Sequence, residues 1–269
     1  MNDALKPLQG VHILVTRAQH QSSAFIEQIQ SFGGNAIEVP LLKIAPPKRE
    51  DVVQDAFTQL NSYDWIIITS MNGAHAFVKF ANKYANSDWK KKLPKIAAVG
   101  KKTLKTLQDN NIDVQFMPSS YTAEVLFAEL SSQLKTGMRI LLTRGDLARK
   151  ALPSKLLDHG CKVNDLVVYR TIQNEAARTK LKNVILHDHV DVVTFTSPST
   201  ISAFDSLLLD TNWRDVTTDV IFACIGPVTL SEAKRKKLPN VIIAETYTIE
   251  GLLHKISEEL SNRRYIGND

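Results

Sequence analysis

The chain has 269 residues, 43% hydrophobic and 23% charged, with a formal charge of +5. These globular proportions, without a low-complexity stretch or an apolar run long enough to cross a bilayer, exclude a disordered, fibrous or helix-spanning membrane protein. The two cysteines, Cys161 and Cys224, stand far apart in apolar runs, which excludes a disulfide framework or thiolate zinc site and predicts two small buried hydrophobes.

Residues 1–10 lack the apolar core of a signal peptide, so a cytoplasmic protein is expected. Lysines gather at Lys90, Lys91, Lys92, Lys95, Lys101 and Lys102, and again at Lys234, Lys236 and Lys237, and read as solvated helix ends. Aromatic residues are not interleaved with them, so nucleic acid is not an expected partner. The sharper alternative is a positive field that attracts an anionic partner, nucleic acid or a polycarboxylate.

In chain order, Val11 to Thr16 reads as a buried strand. Ser22 to Phe32 then places Phe25, Ile26 and Ile29 on one helix face, and Gly33-Gly34 stops the helix. Further strands are expected over 35–39, 65–69, 96–99, 114–116, 139–143, 163–169, 192–196, 220–225 and 241–244, with helical patterns between most of them. Almost wholly apolar strands separated by helices predict parallel sheets covered on both faces. Pro46-Pro47 followed by Lys48-Arg49-Glu50-Asp51 reads as a linker, and residues 170–175 turn polar at the corresponding place. Two arrangements fit. The chain either breaks into consecutive halves near 135–138, or leaves one lobe after its first strand–helix unit, builds the other and returns.

The chain also repeats itself. Val15-Thr16-Arg17 returns as Leu142-Thr143-Arg144, and Thr69-Ser70 as Thr196-Ser197, both 127 residues later. Gly100 with Thr103 returns as Gly226 with Thr229, and Tyr121-Thr122-x-Glu124 as Tyr247-Thr248-x-Glu250, both 126 residues later. A period this long makes the repeat unit a whole domain, and two similar lobes are expected to enclose a ligand. The recurring polar residues fall at the carboxyl ends of the expected strands, where parallel sheets bind ligands and helix amino termini present free N–H groups. Each Ser or Thr alone reads first as a helix cap; recurrence in both halves argues for a set of donors suited to a ligand with many carboxylates.

Other chemistry finds little support. Gly100-Lys101-Lys102-Thr103 lacks the upstream glycine of a phosphate loop, Lys95 standing in its place. His187-Asp188-His189 reads as a solvated turn, because no further ligands are spaced to complete a metal site. The repeat fails at one informative place, where Leu42 in the first half corresponds to Tyr169 in the second. A phenol there is either a half-buried strand residue or a neutral proton donor.

Seven segments in order carry a family resemblance: Leu14-Val15-Thr16-Arg17, Thr69-Ser70-Met71-Asn72-Gly73, Ala98-Val99-Gly100 with Thr103, Thr143-Arg144-Gly145 with Arg149, Val168-Tyr169-Arg170, Thr196-Ser197-Pro198-Ser199, and Ile225-Gly226-Pro227 with Thr229. Together they resemble the uroporphyrinogen-III synthase family along nearly the whole chain. Ala148 departs from the glycine that the family often has before Arg149.

The resemblance implies an α/β protein of two similar flavodoxin-like lobes with parallel sheets, joined by a two-stranded connection that the chain crosses twice. It thereby selects the interleaved arrangement, with lobe one at 1–38 plus 173–269, lobe two at 48–166, and the connection at 39–47 and 167–172. It implies a hydro-lyase that closes hydroxymethylbilane to uroporphyrinogen III with loss of water and inversion of the last ring, needing no cofactor or metal. Tyr169 matches the family's candidate acid. The substrate-binding set implied is Thr16, Arg17, Thr69, Ser70, Gly100, Thr103, Thr122, Thr143, Arg144, Thr196, Ser197, Ser199, Gly226, Pro227 and Thr229. Hand-over of substrate from hydroxymethylbilane synthase, no membrane partner and a monomeric state complete the expectation. The competing reading is a non-catalytic two-lobed binding protein for an anionic small molecule such as a tetrapyrrole.

Overall fold

Short, mostly apolar strands form the framework of the computed structural model, which describes residues 6–266. One unit takes the described residues up to Lys43 and those from Ile172 onward; the other is Ile44–Thr171. The chain therefore passes between units twice, as an interleaved arrangement requires.

In chain order the elements are β1 (His12–Val15), α1 (Gln19–Ser31), β2 (Asn35–Glu38) and β3 (Leu42–Ala45), then α2 (Glu50–Thr58), β4 (Trp65–Ile68), α3 (Met71–Tyr84), β5 (Lys95–Ala98), α4 (Lys101–Gln108), α5 (Ala123–Leu130), β6 (Arg139–Gly145), α6 (Ala151–Asp158) and β7 (Lys162–Gln173). The first unit resumes with α7 (Arg178–Leu186), β8 (Val192–Phe195), α8 (Pro198–Leu207), α9 (Trp213–Val216), β9 (Ile221–Cys224), α10 (Pro227–Arg235), β10 (Val241–Ile243) and α11 (Ile249–Ile266). The first unit's sheet runs β10-β9-β8-β1-β2, and the second's runs β3-β7-β6-β4-β5. The pairs β1·β2, β1·β8, β8·β9, β9·β10, β4·β5, β4·β6 and β6·β7 are all parallel.

Each sheet is buried on both faces, because successive side chains point to opposite sides. Ile66 and Ile68 of β4 enter one core with Phe57, Phe77 and Trp89, while Trp65 and Ile67 enter another with Leu126, Ile140 and Leu156. In the first unit Leu14, Val193 and Phe222 pack with Phe204 and Trp213, whereas Ile13, Val192 and Ile221 pack with Phe25, Leu252 and Ile256. The two units thus repeat in structure what the sequence repeats in residues.

Some local expectations are corrected. Residues 114–116 form no strand; Phe116 alone bridges Ala97. The Gln115 side-chain oxygen accepts from Ile96 N at 2.7 Å, taking a position that a backbone rung would occupy. Leu42–Ala45, outside the strands read from residue patterns but within the two-stranded connection that the resemblance implies, is a strand beside β7, and β7 runs on past Tyr169 to Gln173. Glu50 and Asp51, expected in a linker, open α2, where acidic side chains favour the positive end of the helix.

Candidate functional site

Strand order marks a candidate site within each unit. From β4 the chain moves to β5 on one side and then to β6 on the other, and from β1 it moves to β2 and, after the second unit, to β8 on the opposite side. Helices leaving a strand edge in opposite directions open a crevice at the carboxyl ends of the two central strands, the usual ligand position in this fold class. Thr69, Ser70, Thr143 and Arg144 lie there in the second unit, and Thr16, Arg17, Thr196 and Ser197 in the first.

In the second unit Ser70 is the N-cap of α3, its Oγ accepting from Gly73 N at 3.0 Å. The same oxygen lies 3.1 Å from Tyr169 Oη. The half-buried phenol therefore has a fixed polar partner at the strand edge, while its ring packs on the core. Gly145 explains how the ring fits: an added Cβ would sit 2.6 Å from Tyr169 Cζ. The register of β6 on β7 slips between Arg144 and Gly145, which sets Gly145 opposite Tyr169.

Arg144 is buried, with Nε 2.5 Å from Asp165 Oδ1 and Nη2 2.7 Å from Oδ2. Its Nη1 reaches the carbonyls of Gly145 and Ala148 at 3.2 and 3.4 Å. The hydrogen-bonded carboxylate raises its pKa further above the arginine norm, and the guanidinium organises the turn after β6. Thr143 donates to Ile67 O at 3.4 Å and Thr69 to Thr143 O at 3.5 Å, linking β4 to β6. Thr69 and Arg144 border a cavity of about 420 Å³ that Tyr121, Thr122 and Arg149 also line. Tyr169 borders a different one of about 250 Å³, with Asn72, His75 and Lys79.

Gly100 caps α4 with a φ of 93°, a left-handed conformation that glycine adopts without strain. Thr103 follows as the third residue of that helix and is buried, so it packs against its surroundings and is not the cap. Thr122 does cap a helix, accepting from Val125 N at 3.2 Å.

The first unit repeats this with differences. Thr16, buried, donates to Thr194 O at 2.7 Å, and Thr194 donates to Leu14 O at 2.9 Å, locking β1 to β8. Arg17 is half-buried, and that burial lowers its pKa. Thr196 is half-buried after β8; Ser197 precedes Pro198, the first residue of α8, and its Oγ lies 3.0 Å from Ser199 Oγ. Gly226, in extended backbone, and Pro227 open α10, and Thr229 is buried in its first turn. Thr248 accepts from Gly251 N at 3.0 Å, matching Thr122. The sequence-derived set omits Tyr121 and Tyr247, 56% and 63% exposed at matching places in the two units. Their recurrence with Thr122 and Thr248 was the signal that could have found them.

A family model described as uroporphyrinogen-III synthase HemD matches residues 23–254. The chain belongs to the uroporphyrinogen-III synthase family. It is 29% identical over 259 residues to the uroporphyrinogen-III synthase of Synechococcus elongatus, covering 95% of this chain and 97% of that protein. It is 26% identical to the porphyrin biosynthesis protein HemD of Ruminiclostridium josui over 94% of this chain, which spans about half (49%) of that longer relative. The crystal structure of uroporphyrinogen-III synthetase from Helicobacter pylori shares the fold, with a TM-score of 0.59 at 18% identity, covering 93% of this chain and 99% of that one. The match to the synthase family contains every candidate site residue named above except Thr16 and Arg17.

Proposed function

We propose that this chain is a uroporphyrinogen-III synthase, a hydro-lyase that closes hydroxymethylbilane with loss of water and inversion of the last pyrrole ring. Family membership over nearly the whole chain carries the reading. The chemistry suits the residues. Protonation of the terminal hydroxyl lets its C–O bond break, water departs, and a resonance-stabilised azafulvene cation remains, so an acid as modest as a phenol suffices. Tyr169, held by Ser70 at the strand edge, is read as that donor.

Ring inversion is a positioning problem: the substituted carbon of the last ring must attack, giving a spiro intermediate in place of the unrearranged macrocycle. Substrate carboxylates supply the handles, and helix amino termini with the exposed Thr122 and Arg149 supply partners of matching polarity, Pro227 lying exposed at the start of α10 without a donor of its own. The remaining site residues support or contact the same surfaces. Dehydrative cyclisation changes no oxidation state, so the reading needs no redox cofactor. Residues 39–47 and 167–172 are read as the connection between lobes. A cytoplasmic monomer that receives substrate from hydroxymethylbilane synthase completes the proposal.

A coupled assay from porphobilinogen and its deaminase, with isomer analysis of the oxidised porphyrin, tests it. The type III isomer should dominate when this chain is present. Formation of the type I isomer alone, at the rate seen without the chain, overturns the proposal.

A further inference from the structure

At the opposite, amino-terminal edge of the first unit's sheet, three side chains converge from distant parts of the chain. His12 begins β1, Asp191 directly precedes β8, and His189 lies in the turn before it. The sequence-based expectation dismissed a metal at His187-Asp188-His189 because no other ligand is spaced nearby. Pairing of β1 with β8 supplies one, bringing His12 to a residue 179 positions away.

We propose that His12, His189 and Asp191 form a binding site for a divalent transition-metal ion, with zinc the best match. One ligand atom from each lies within 4.8 Å of the others. His189 Nε2 is 3.0 Å from Asp191 Oδ1, and His12 Nδ1 is 3.6 Å from Asp191 Oδ2. Tetrahedral zinc with bonds near 2.0–2.1 Å separates adjacent ligand atoms by about 3.3 Å, between those two distances. The imidazole planes meet edge to face at 85° with centroids 5.5 Å apart, which lets each ring direct a nitrogen toward a common point.

A second observation also calls for a ligand. His12 Nδ1 is buried and has no hydrogen-bond partner among the described residues; its distance to Asp191 is too long for one. A buried nitrogen without a protein partner is costly, and a coordinated cation removes that cost. Among the described residues, the other buried side-chain atom without a partner, Thr217 Oγ1, belongs to a residue lining the cavity of about 500 Å³ that His189 and Asp191 also line. Asp191 is held in place because its Oδ2 accepts from His12 N at 2.7 Å. Arg263, the cation bordering that cavity, is directed to Glu259 and to the carbonyl of Asp219. Two imidazoles and one carboxylate leave a fourth position for water. The site faces away from the strand ends assigned to substrate, so its effect is to clamp β1 to β8.

The test uses the untagged 269-residue chain and Co²⁺ as a spectroscopic stand-in for zinc. Titration should give ligand-field absorption that saturates at one ion per chain and is displaced by Zn²⁺. His12→Gln and His189→Ala should each weaken binding by at least about tenfold, the lower end of what outer-shell changes alone cost. His254→Ala, distant in sequence and in another element, should bind like the parent. Zn²⁺ should raise the melting temperature of the parent but not of the two ligand variants, and porphyrin isomer formation should be unchanged by its removal. His189 is 76% exposed, so its alanine variant is not expected to misfold. Saturable binding that survives in both histidine variants, or a folded parent that shows none, overturns the proposal.

Discussion

Tyr169 Oη and Ser70 Oγ lie 3.1 Å apart although 99 residues separate them in the chain. The same serine caps α3, so one hydroxyl both starts a helix and orients the phenol.

Tyr169→Phe keeps the ring that packs on the core and removes the donor. General acid catalysis contributes about a hundredfold to ten-thousandfold, so the variant should keep its melting temperature and lose type III formation by roughly that factor. Turnover within about a factor of two of the parent, under roughly 0.5 kcal/mol, would show that Tyr169 is not the acid. Ser70→Ala should also lose rate, and should lose about 1 kcal/mol of stability with the cap.

Gly145→Ala places a methyl group 2.6 Å from Tyr169 Cζ, a separation that forces the ring to move. Overpacking of this kind costs about 1–3 kcal/mol, and the displaced phenol should lower activity as well. Melting temperatures of the single variants and of Gly145→Ala with Tyr169→Ala check the cause. The double variant should be less destabilised than the sum of the two, because the truncated residue no longer meets the methyl. Additive losses would place the strain elsewhere.

Thr103 and Thr229 are buried at third helical positions behind the caps Gly100 and Gly226, and both are proposed substrate contacts. Valine preserves their shape and removes the hydroxyl. A hydrogen bond to a charged group contributes about 1.5–3 kcal/mol, so each valine variant should lose about tenfold or more in kcat/KM while remaining folded. Unchanged kinetics in both would assign them to packing alone.

Acid should destabilise the fold in a defined window. Glu50, Glu175, Asp210 and Glu232 are held below the usual carboxylate range, chiefly by hydrogen bonds from Lys83, Arg178, Lys182 and Arg235. Asp51, beside Arg49, is brought down to about 2. A lowered native pKa means that the unfolded chain binds more protons, so this stability is complete above the unfolded value, near about 4.3 for glutamate, and is lost as pH falls through the native values. Melting temperature should drop steadily below about pH 4.5, and Glu232→Gln should reduce the slope. A melting temperature flat down to about pH 3 would contradict these pairings.

Residue patterns alone determined the fold class and the sheet edge proposed for the site. Runs such as Trp65-Ile66-Ile67-Ile68 can be buried on both faces only in a covered parallel sheet, and the hydroxyl residues that follow them fall where helices begin. The recurrence of short motifs in the two halves was legible for the same reason: local burial and capping depend on neighbours within a few residues. Strand order was not legible, and it decided which groups meet. Lateral pairing of β6 with β7 gives Arg144 to Asp165, 21 residues on. Pairing of β1 with β8 sets His12 beside Asp191 across 179 residues. Leu42–Ala45 becomes a strand because β7 lies beside it, a neighbour that period and propensity cannot foresee, since a strand's hydrogen bonds are satisfied by another segment of the chain.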